Sequence, residues 1–136
     1  RIVIVVTHDN RIFDFSGSEV FTLDVADYAT LFANEVTTTP RTALISSSNK
    51  LSYRLYSGTI TNDYYCATTI PTTPTLLQQW NAIDGIEATS GIIEVSTTTL
   101  GAAFQHTIRL KKVTLKKENS SFSLGDDYLF GTLITN

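Results

Sequence analysis

Apolar and polar residues alternate with a period of two along much of this chain, which is typical of half-buried β-strands. The clearest case is the segment 51–56, where Leu51, Tyr53 and Leu55 point to one face and their neighbours to the other. The pattern predicts about eight strands, separated by short turns. They are placed at 2–6, 13–15, 20–23, 43–45, 51–55, 91–99, 104–117 and 128–135. We therefore expect an all-β fold, an antiparallel β-sandwich, with a partly open β-barrel as the alternative.

Two segments fit more than one kind of element. Between Leu23 and Val36 the apolar residues fall near helical spacing, but the neighbouring threonines and β-branched residues favour a strand, which we prefer. The segment 76–82, around Trp80, fits either one or two helical turns or an edge strand.

The predicted strand 104–117 contains a change of phase. Its apolar positions alternate as far as Leu110, but the next ones are Val113 and Leu115, so one extra residue must be absorbed. A β-bulge is the common way in which a strand absorbs an extra residue. The pattern therefore predicts one long strand with a bulge near 111–112.

Composition narrows the functional classes. The 136 residues predict a single domain, 1–136, and the 22 threonines suit a β fold. A net charge of −3 argues against a general nucleic-acid binder, and no apolar run is long enough to span a membrane. The chain starts at Arg1 and has no methionine, so we expect a processed or trimmed product whose targeting segment is not seen.

Basic residues are concentrated in one predicted strand and its end. Five of the ten basic residues fall there. They are Arg109, Lys111, Lys112, Lys116 and Lys117. We expect this basic ribbon to face an acidic partner or anionic lipid headgroups, and the alternative is that the lysines protect a sheet edge from pairing with other chains.

The residues that could bind a metal are few. The corner 8–10 with Asp14, or the pair Asp126 and Asp127, could supply oxygen ligands, but aspartate and asparagine also favour turns for their own hydrogen bonds. The lone Cys66 has no partner for a disulfide and no Cys/His signature with His106, so we expect a buried small side chain. No metal and no cofactor is predicted.

Catalytic motifs are also few. Glu87 and Glu94 are the only nearby pair of glutamates in the C-terminal half, and their odd spacing would put them on opposite faces of one continuous strand. The chain has neither a nucleophile-elbow motif nor a phosphate-binding glycine loop. We therefore predict that the protein is not an enzyme and has no catalytic residue.

Exposed aromatic side chains could bind a ligand instead, because their apolar faces stack against sugar rings. Tyr64, Tyr65 and Trp80 are the candidates, and Trp80 lies in a polar neighbourhood of glutamine and asparagine. Under this hypothesis, Trp80→Ala removes glycan binding without unfolding the domain.

Six motifs between residues 43 and 110 resemble those of a known family. They are LSYRLYSG at 51–58, ITNDYYC at 60–66, IPTTP at 70–74, QQW at 78–80, SGIIEV at 90–95 and HTI at 106–108. In order and spacing they are similar to the uncharacterised outer-membrane lipoproteins of Bacteroidota, flavobacteria in particular. The chain departs from that family where it has Gln78 and Gln79 in place of acids, and Thr72 in place of a second proline.

The resemblance implies a lipid-bearing N-terminal cysteine, outside this sequence, that tethers the domain to the outer membrane on its periplasmic or cell-surface side. It transfers no activity and no catalytic residue. We therefore expect a non-enzymatic, lipid-anchored accessory subunit of an outer-membrane protein assembly, such as a secretion, transport or surface complex. The alternative is a cell-surface module that binds a glycan or another ligand.

Overall fold

The computed structural model describes residues 6–8, 11–61, 63–64, 67, 69 and 71–136, with side chains from residue 11 onward. Within them the chain forms strands joined by turns and one short helix. The strands are β1 (Val6–His8), β2 (Arg11–Ser16), β3 (Glu19–Val25), β4 (Arg41–Leu44), β5 (Asn49–Tyr56), β6 (Leu76–Ala82), β7 (Ile92–Leu100), β8 (Ala103–Lys111), β9 (Thr114–Lys117), β10 (Ser120–Ser123) and β11 (Tyr128–Thr135). The helix α1 is Tyr28–Leu31. No helix in these ranges has the length and apolar character needed to cross a bilayer.

The strands form two antiparallel sheets. The larger has seven strands in the order β1-β2-β3-β5-β6-β9-β10, and the smaller has four in the order β11-β8-β7-β4. Neither sheet closes on itself, so the β-sandwich prediction is confirmed and the barrel alternative is not.

The core lies between the two sheets. Alternate residues of each strand point inward, so the larger sheet contributes Ile12, Leu23 and Leu51 and the smaller one contributes Ile93 and Ile108, all buried. The apolar alternation seen along the chain is the direct consequence of this arrangement, because the strands from β2 onward each have one face on the core.

A second, smaller apolar cluster covers part of the outer face of the seven-stranded sheet. Phe13 and Val20 point away from the main core and pack with Tyr56 and Ile60, and Tyr64 lies against them. The segment that follows β5 therefore folds back over one end of this outer face. The other end of the face carries polar side chains and is not covered in this way.

Along the described strands the chain passes between the sheets five times, and two of these crossings lie close together. After β4 it crosses from the small sheet to β5 in the large one, and after β8 it crosses at Lys112, where φ is +51°, to β9. The prediction of one bulged strand over 104–117 is therefore wrong. The apolar phase changes because β8 and β9 belong to opposite sheets and both direct their apolar side chains into the shared core.

Backbone hydrogen bonds join these two crossings at Gly91. The amide of Ile45, after β4, donates to the Gly91 carbonyl (2.9 Å), and the Gly91 amide donates to the Lys112 carbonyl (2.9 Å). The Gly85 amide donates to the Ile45 carbonyl (2.8 Å). Gly91 has φ +64°, and a Cβ atom there would lie 2.5 Å from the Gly85 Cα atom. Only glycine fits this position.

Both ambiguous segments are now defined. The preferred strand between Leu23 and Val36 is wrong beyond Val25, because α1 begins at Tyr28 and buries Leu31 in the core. The segment 76–82 is the strand β6, but it lies between β5 and β9 and is not an edge. Of the predicted first strand, residues 2–5 lie outside the described residues, as do Tyr65 and Cys66.

Candidate functional site

A polar groove of about 270 Å³ lies on the open part of the outer face of the seven-stranded sheet. Its middle row crosses three strands, because Thr22 of β3 is the cross-strand partner of Ser52 in β5, which in turn pairs with Asn81 in β6. Each is an outward position, since the residues on either side of it along the strand point to the core. Pairing of distant strands therefore builds the row.

Charged side chains border this middle row on both sides. On one side Arg11 pairs across the strands with Asp24, and Asp24 with Lys50. On the other side Arg54 pairs with Gln79. All five side chains line the groove.

Hydrogen bonds among these side chains hold part of the groove in place. The Arg54 Nε donates to Gln79 Oε1 (3.2 Å), and the Gln79 Nε2 donates to Asn81 Oδ1 (3.1 Å). On the opposite side the Arg11 guanidinium and the Asp24 carboxylate approach to 3.7 Å while each stays about half exposed. One wall is therefore a hydrogen-bonded row, and the other is a half-exposed ion pair.

Thr22 has an unusual position in the floor of the groove. It is 7% exposed, and its Oγ1 has no hydrogen-bond partner in the described part of the chain. Leaving a buried hydroxyl unpaired costs about 1–3 kcal/mol. A hydroxyl kept under such a cost, among charged side chains, is the feature that distinguishes this groove from an ordinary solvated strand face.

The groove belongs to a positively charged face. Lys116 of β9 pairs with Asn81 and so continues the middle row beyond the groove. We count the outward positions of six strands in the seven-stranded sheet, namely β2, β3, β5, β6, β9 and β10. They carry four basic residues and one acidic residue, a formal charge of +3, although the whole chain carries −3. The charged residues at these strand positions are Arg11, Lys50, Arg54, Lys116 and Asp24.

The structure separates the predicted aromatic residues. Trp80 pairs with Tyr53 on the inner face, is half-buried against the main core, and contacts Phe122 at a centroid distance of 5.1 Å. Tyr64 packs on the outer face against Tyr56, at 5.4 Å. Trp80 and Tyr64 therefore lie on opposite faces of the sheet and form no common platform, while Tyr65 lies outside the described residues.

The predicted basic ribbon is divided between the two sheets. Arg109 and Lys111 are on β8, an interior strand, where both contact Asp127, at 3.3 and 3.2 Å. Hydrogen bonds from Lys111 and then Arg109 lower the pKa of the Asp127 carboxyl. Lys116 and Lys117 follow the crossing and belong to β9 of the other sheet. The prediction of one continuous basic ribbon is therefore wrong. The edge-protection alternative is also wrong for β8, because this strand lies between β11 and β7.

The two glutamates weighed for hydrolysis also differ from expectation. Glu87 lies in the turn before β7 and Glu94 on β7 itself, so they are not on one continuous strand. Both line a groove of about 410 Å³ beside β4, whereas their spacing predicted opposite faces. Glu94 lies 3.9 Å from the Lys111 ammonium.

A buried polar chain crosses one end of the core, and no sequence motif predicted it. Arg41 Nη1 donates to Thr97 Oγ1 (2.8 Å), Thr97 Oγ1 donates to His106 Nδ1 (2.7 Å), and His106 Nε2 donates to Thr135 Oγ1 (2.8 Å). Thr135 then donates to Asn34 Oδ1. This direction of donors assigns a neutral His106 with its proton on Nε2.

Burial lowers the pKa of His106, and the nearby Arg41 charge lowers it further. His106 is fully buried. Its ring and that of Phe32 are perpendicular, with 5.5 Å between the ring centroids. Within the described part of the chain, the hydrogen bonds and the ring contact of this histidine are all with other side chains of the core end, and none is with a residue of a surface groove. We therefore assign the chain from Arg41 to Asn34 to stability.

A further hydrogen bond links Tyr53 to the open end of the sandwich. The Tyr53 hydroxyl donates to the Glu19 carboxylate, and burial followed by this bond raises the pKa of Tyr53 to about 12. Tyr53 stays protonated at neutral pH and acts as a donor.

Within the described ranges no group of three or more histidine, cysteine, aspartate or glutamate side chains could hold a metal ion. Asp126 lies next to Asp127, whose carboxylate is held by two basic side chains. Asp14 lines a separate small pocket with aromatic residues. The corner residues 9 and 10 lie outside the described residues.

The fold and the groove together define an antiparallel β-sandwich with a polar, positively charged outer face. No protein-family model, no curated protein and no solved structure matches the chain.

Proposed function

We propose that this domain is a non-enzymatic binding module of the cell surface whose polar groove binds glycans. The carrying observation is the groove on the outer face of the seven-stranded sheet, with the unpaired Thr22 hydroxyl in its floor. The lipid anchor and the outer-membrane location remain part of the proposal on the strength of the sequence resemblance.

The chemistry of the groove suits a hydroxyl-rich ligand. Sugar hydroxyls both donate and accept hydrogen bonds, and the groove offers amides, hydroxyls, guanidinium groups and a carboxylate on one surface. Its volume of about 270 Å³ falls near the lower end of small-ligand sites, roughly 300–1,000 Å³, which suits one sugar unit of a longer chain. This proposal uses the outer face and does not need Trp80.

The test is binding to an array of purified neutral and acidic polysaccharides, followed by titration of the strongest one. Asn81→Ala removes an amide from the middle row and should weaken binding about tenfold, as expected for one or two lost hydrogen bonds. Asn119→Ala, in the exposed β9–β10 turn, is the matched control and should bind as the wild type does. Binding to no polysaccharide, or equal losses in both variants, contradicts the proposal.

A second candidate is the accessory subunit of an outer-membrane assembly. It is favoured by the loop between β6 and β7, where Ile83 and Ile86 are 49% and 62% exposed. Backbone hydrogen bonds at Gly85 and Gly91 hold this loop against the sheet crossings, and the exposed Lys112 lies beside it. Exposed apolar side chains on a rigid loop are typical of a protein contact.

This second candidate is tested with the full-length lipidated protein, tagged in its native host and purified from gently solubilised outer membrane. If the protein is recovered in a fixed ratio with a membrane protein, this candidate is supported. If the protein is recovered without any partner, the candidate is contradicted. The double variant Ile83→Ser with Ile86→Ser should lose the partner. Leu100→Ser, which changes an exposed leucine at the β7–β8 hairpin, should keep it.

A further inference from the structure

We propose that the groove selects acidic saccharides, in which carboxylate or sulfate groups accompany the hydroxyls. This inference rests on the proposed glycan-binding function and names its substrate class. It is carried by the balance of hydrogen-bond donors and acceptors in the groove and by the charge along its middle row.

The residues that line the groove carry more donor groups than acceptor groups. Its three cationic side chains can only donate, and its single carboxylate, that of Asp24, already contacts Arg11 at 3.7 Å. The amide oxygens of Gln79 and Asn81 accept hydrogen bonds from inside the groove. A carboxylate or a sulfate fits this surplus best, because it only accepts hydrogen bonds and carries a negative charge, whereas each hydroxyl of a neutral sugar also brings a donor.

The charges are placed to hold such an acid. Lys50 makes no ion pair within the described residues, although it stands across the strands from Asp24, so one carboxylate faces two cations. Arg54 stands on the other side of the middle row. An acidic group between them would lie over the middle row, where the Thr22 hydroxyl has no partner among the described residues and is a donor for it.

The same row extends the positive charge in one direction. Lys116 of β9 is exposed and lies outside the groove, next to Asn81 of β6. A chain with an acid on successive sugar units would therefore meet a second cation after the first unit has filled the groove. This arrangement favours a polymer over a single sugar.

The experiment compares polymers that differ only in their acid groups, by calorimetric titration of the full chain at fixed salt. Polygalacturonate is paired with its fully methyl-esterified form, and dextran sulfate with dextran. Polyglutamate serves as a polyanion without sugar hydroxyls. We expect an acidic polysaccharide to bind at least tenfold more tightly than its neutral partner and more tightly than polyglutamate.

Charge variants locate the effect. Lys50→Gln should weaken binding of the acidic polymer about tenfold and leave the weak binding of its neutral partner unchanged. Lys112→Gln removes the same charge at the exposed crossing, away from the groove, and should change the affinity less than twofold. Neither side chain is buried, so both variants are expected to fold.

Each other result overturns the inference. Equal affinity for the acidic and neutral members of both pairs contradicts acid selection but leaves glycan binding intact. Equal binding of polyglutamate, or equal losses in Lys50→Gln and Lys112→Gln, shows general ion exchange. Binding to none of the five polymers and to no other glycan removes the proposed function together with the inference.

Discussion

Two buried threonines of this sandwich should respond to the same substitution with opposite signs. Thr22 Oγ1 is closed to solvent and has no hydrogen-bond partner in the part of the chain described. Valine has nearly the same shape and no hydroxyl, so Thr22→Val removes an unpaired polar atom and makes no cavity. Because an unpaired buried hydroxyl costs about 1–3 kcal/mol, we expect the variant to be more stable by about 1 kcal/mol.

Thr97 is the matched comparison. It is fully buried, and its Oγ1 accepts from Arg41 at 2.8 Å and donates to His106 at 2.7 Å. Thr97→Val leaves an Arg41 N–H and the His106 Nδ1 without this partner. Two such losses, each about 1–3 kcal/mol, predict a destabilisation of about 2–6 kcal/mol.

Urea denaturation at pH 7.5 measures both variants against the wild type, with the m-value as a check that the folded and unfolded states are comparable. A difference of 1 kcal/mol corresponds to about 3–4 °C in Tm for a domain of this size. If Thr22→Val loses stability by 1 kcal/mol or more, Thr22 has a partner in solution and the description of the groove floor is wrong. If it gains stability and also binds the glycan more weakly, the hydroxyl is kept for binding.

Three further predictions follow from the core and its crossings. Burial lowers the pKa of His106 from its ordinary value of 6.5. Below pH 6.5 the unfolded chain therefore binds a proton at this histidine that the folded chain does not bind. Stability should therefore be full above pH 6.5 and fall on acidification by up to about 1.4 kcal/mol per pH unit, and urea midpoints from pH 7.5 to 5.0 should show a smaller fall in His106→Gln. Gly91→Ala and Gly17→Ala place a Cβ atom at nearly the same φ, +64° and +62°, but only the first meets backbone, at 2.5 Å. We expect Gly17→Ala to lose about 1–2 kcal/mol and Gly91→Ala at least twice as much in thermal denaturation, and equal losses would argue against the close approach of the two glycines. Trp80→Ala should lower the free energy of unfolding by about 2 kcal/mol through lost packing, while the folded variant binds the glycan as the wild type does. If the variant loses binding but not stability, the glycan site lies on the inner face, at Trp80.

The sandwich itself could be predicted because its strands repeat one simple rule, with apolar residues toward the core and polar ones away. The last strand, Tyr128–Thr135, has the predicted bounds. The rule does not say to which sheet a strand belongs. Strands β8 and β9 follow one another and face the same core from opposite sides, so locally they have the same pattern as one strand with a bulge.

The candidate site could not be predicted in this way, because its rows join residues of β3, β5 and β6 that are far apart in sequence. Ser52 and Arg54 alternate with apolar residues, which predicts only that they face away from the core. A signal for His106 did exist, since it has the same parity as the buried Ile108 and Leu110 on β8. That parity predicts a histidine inside the core, away from any surface ligand.

Two of the five sheet crossings meet at Gly91, and this has a consequence for how the domain opens. The hydrogen bonds that join Ile45, Gly91 and Lys112 continue the β4–β7 and β7–β8 ladders of the small sheet to the points where the chain leaves β4 and β8, so they anchor both connections to the large sheet. The amide protons of Ile45 and Gly91 should therefore exchange with solvent only when the whole sandwich unfolds. The two layers then form one cooperative unit, and the sheet that carries the groove stays supported from behind for as long as the domain is folded.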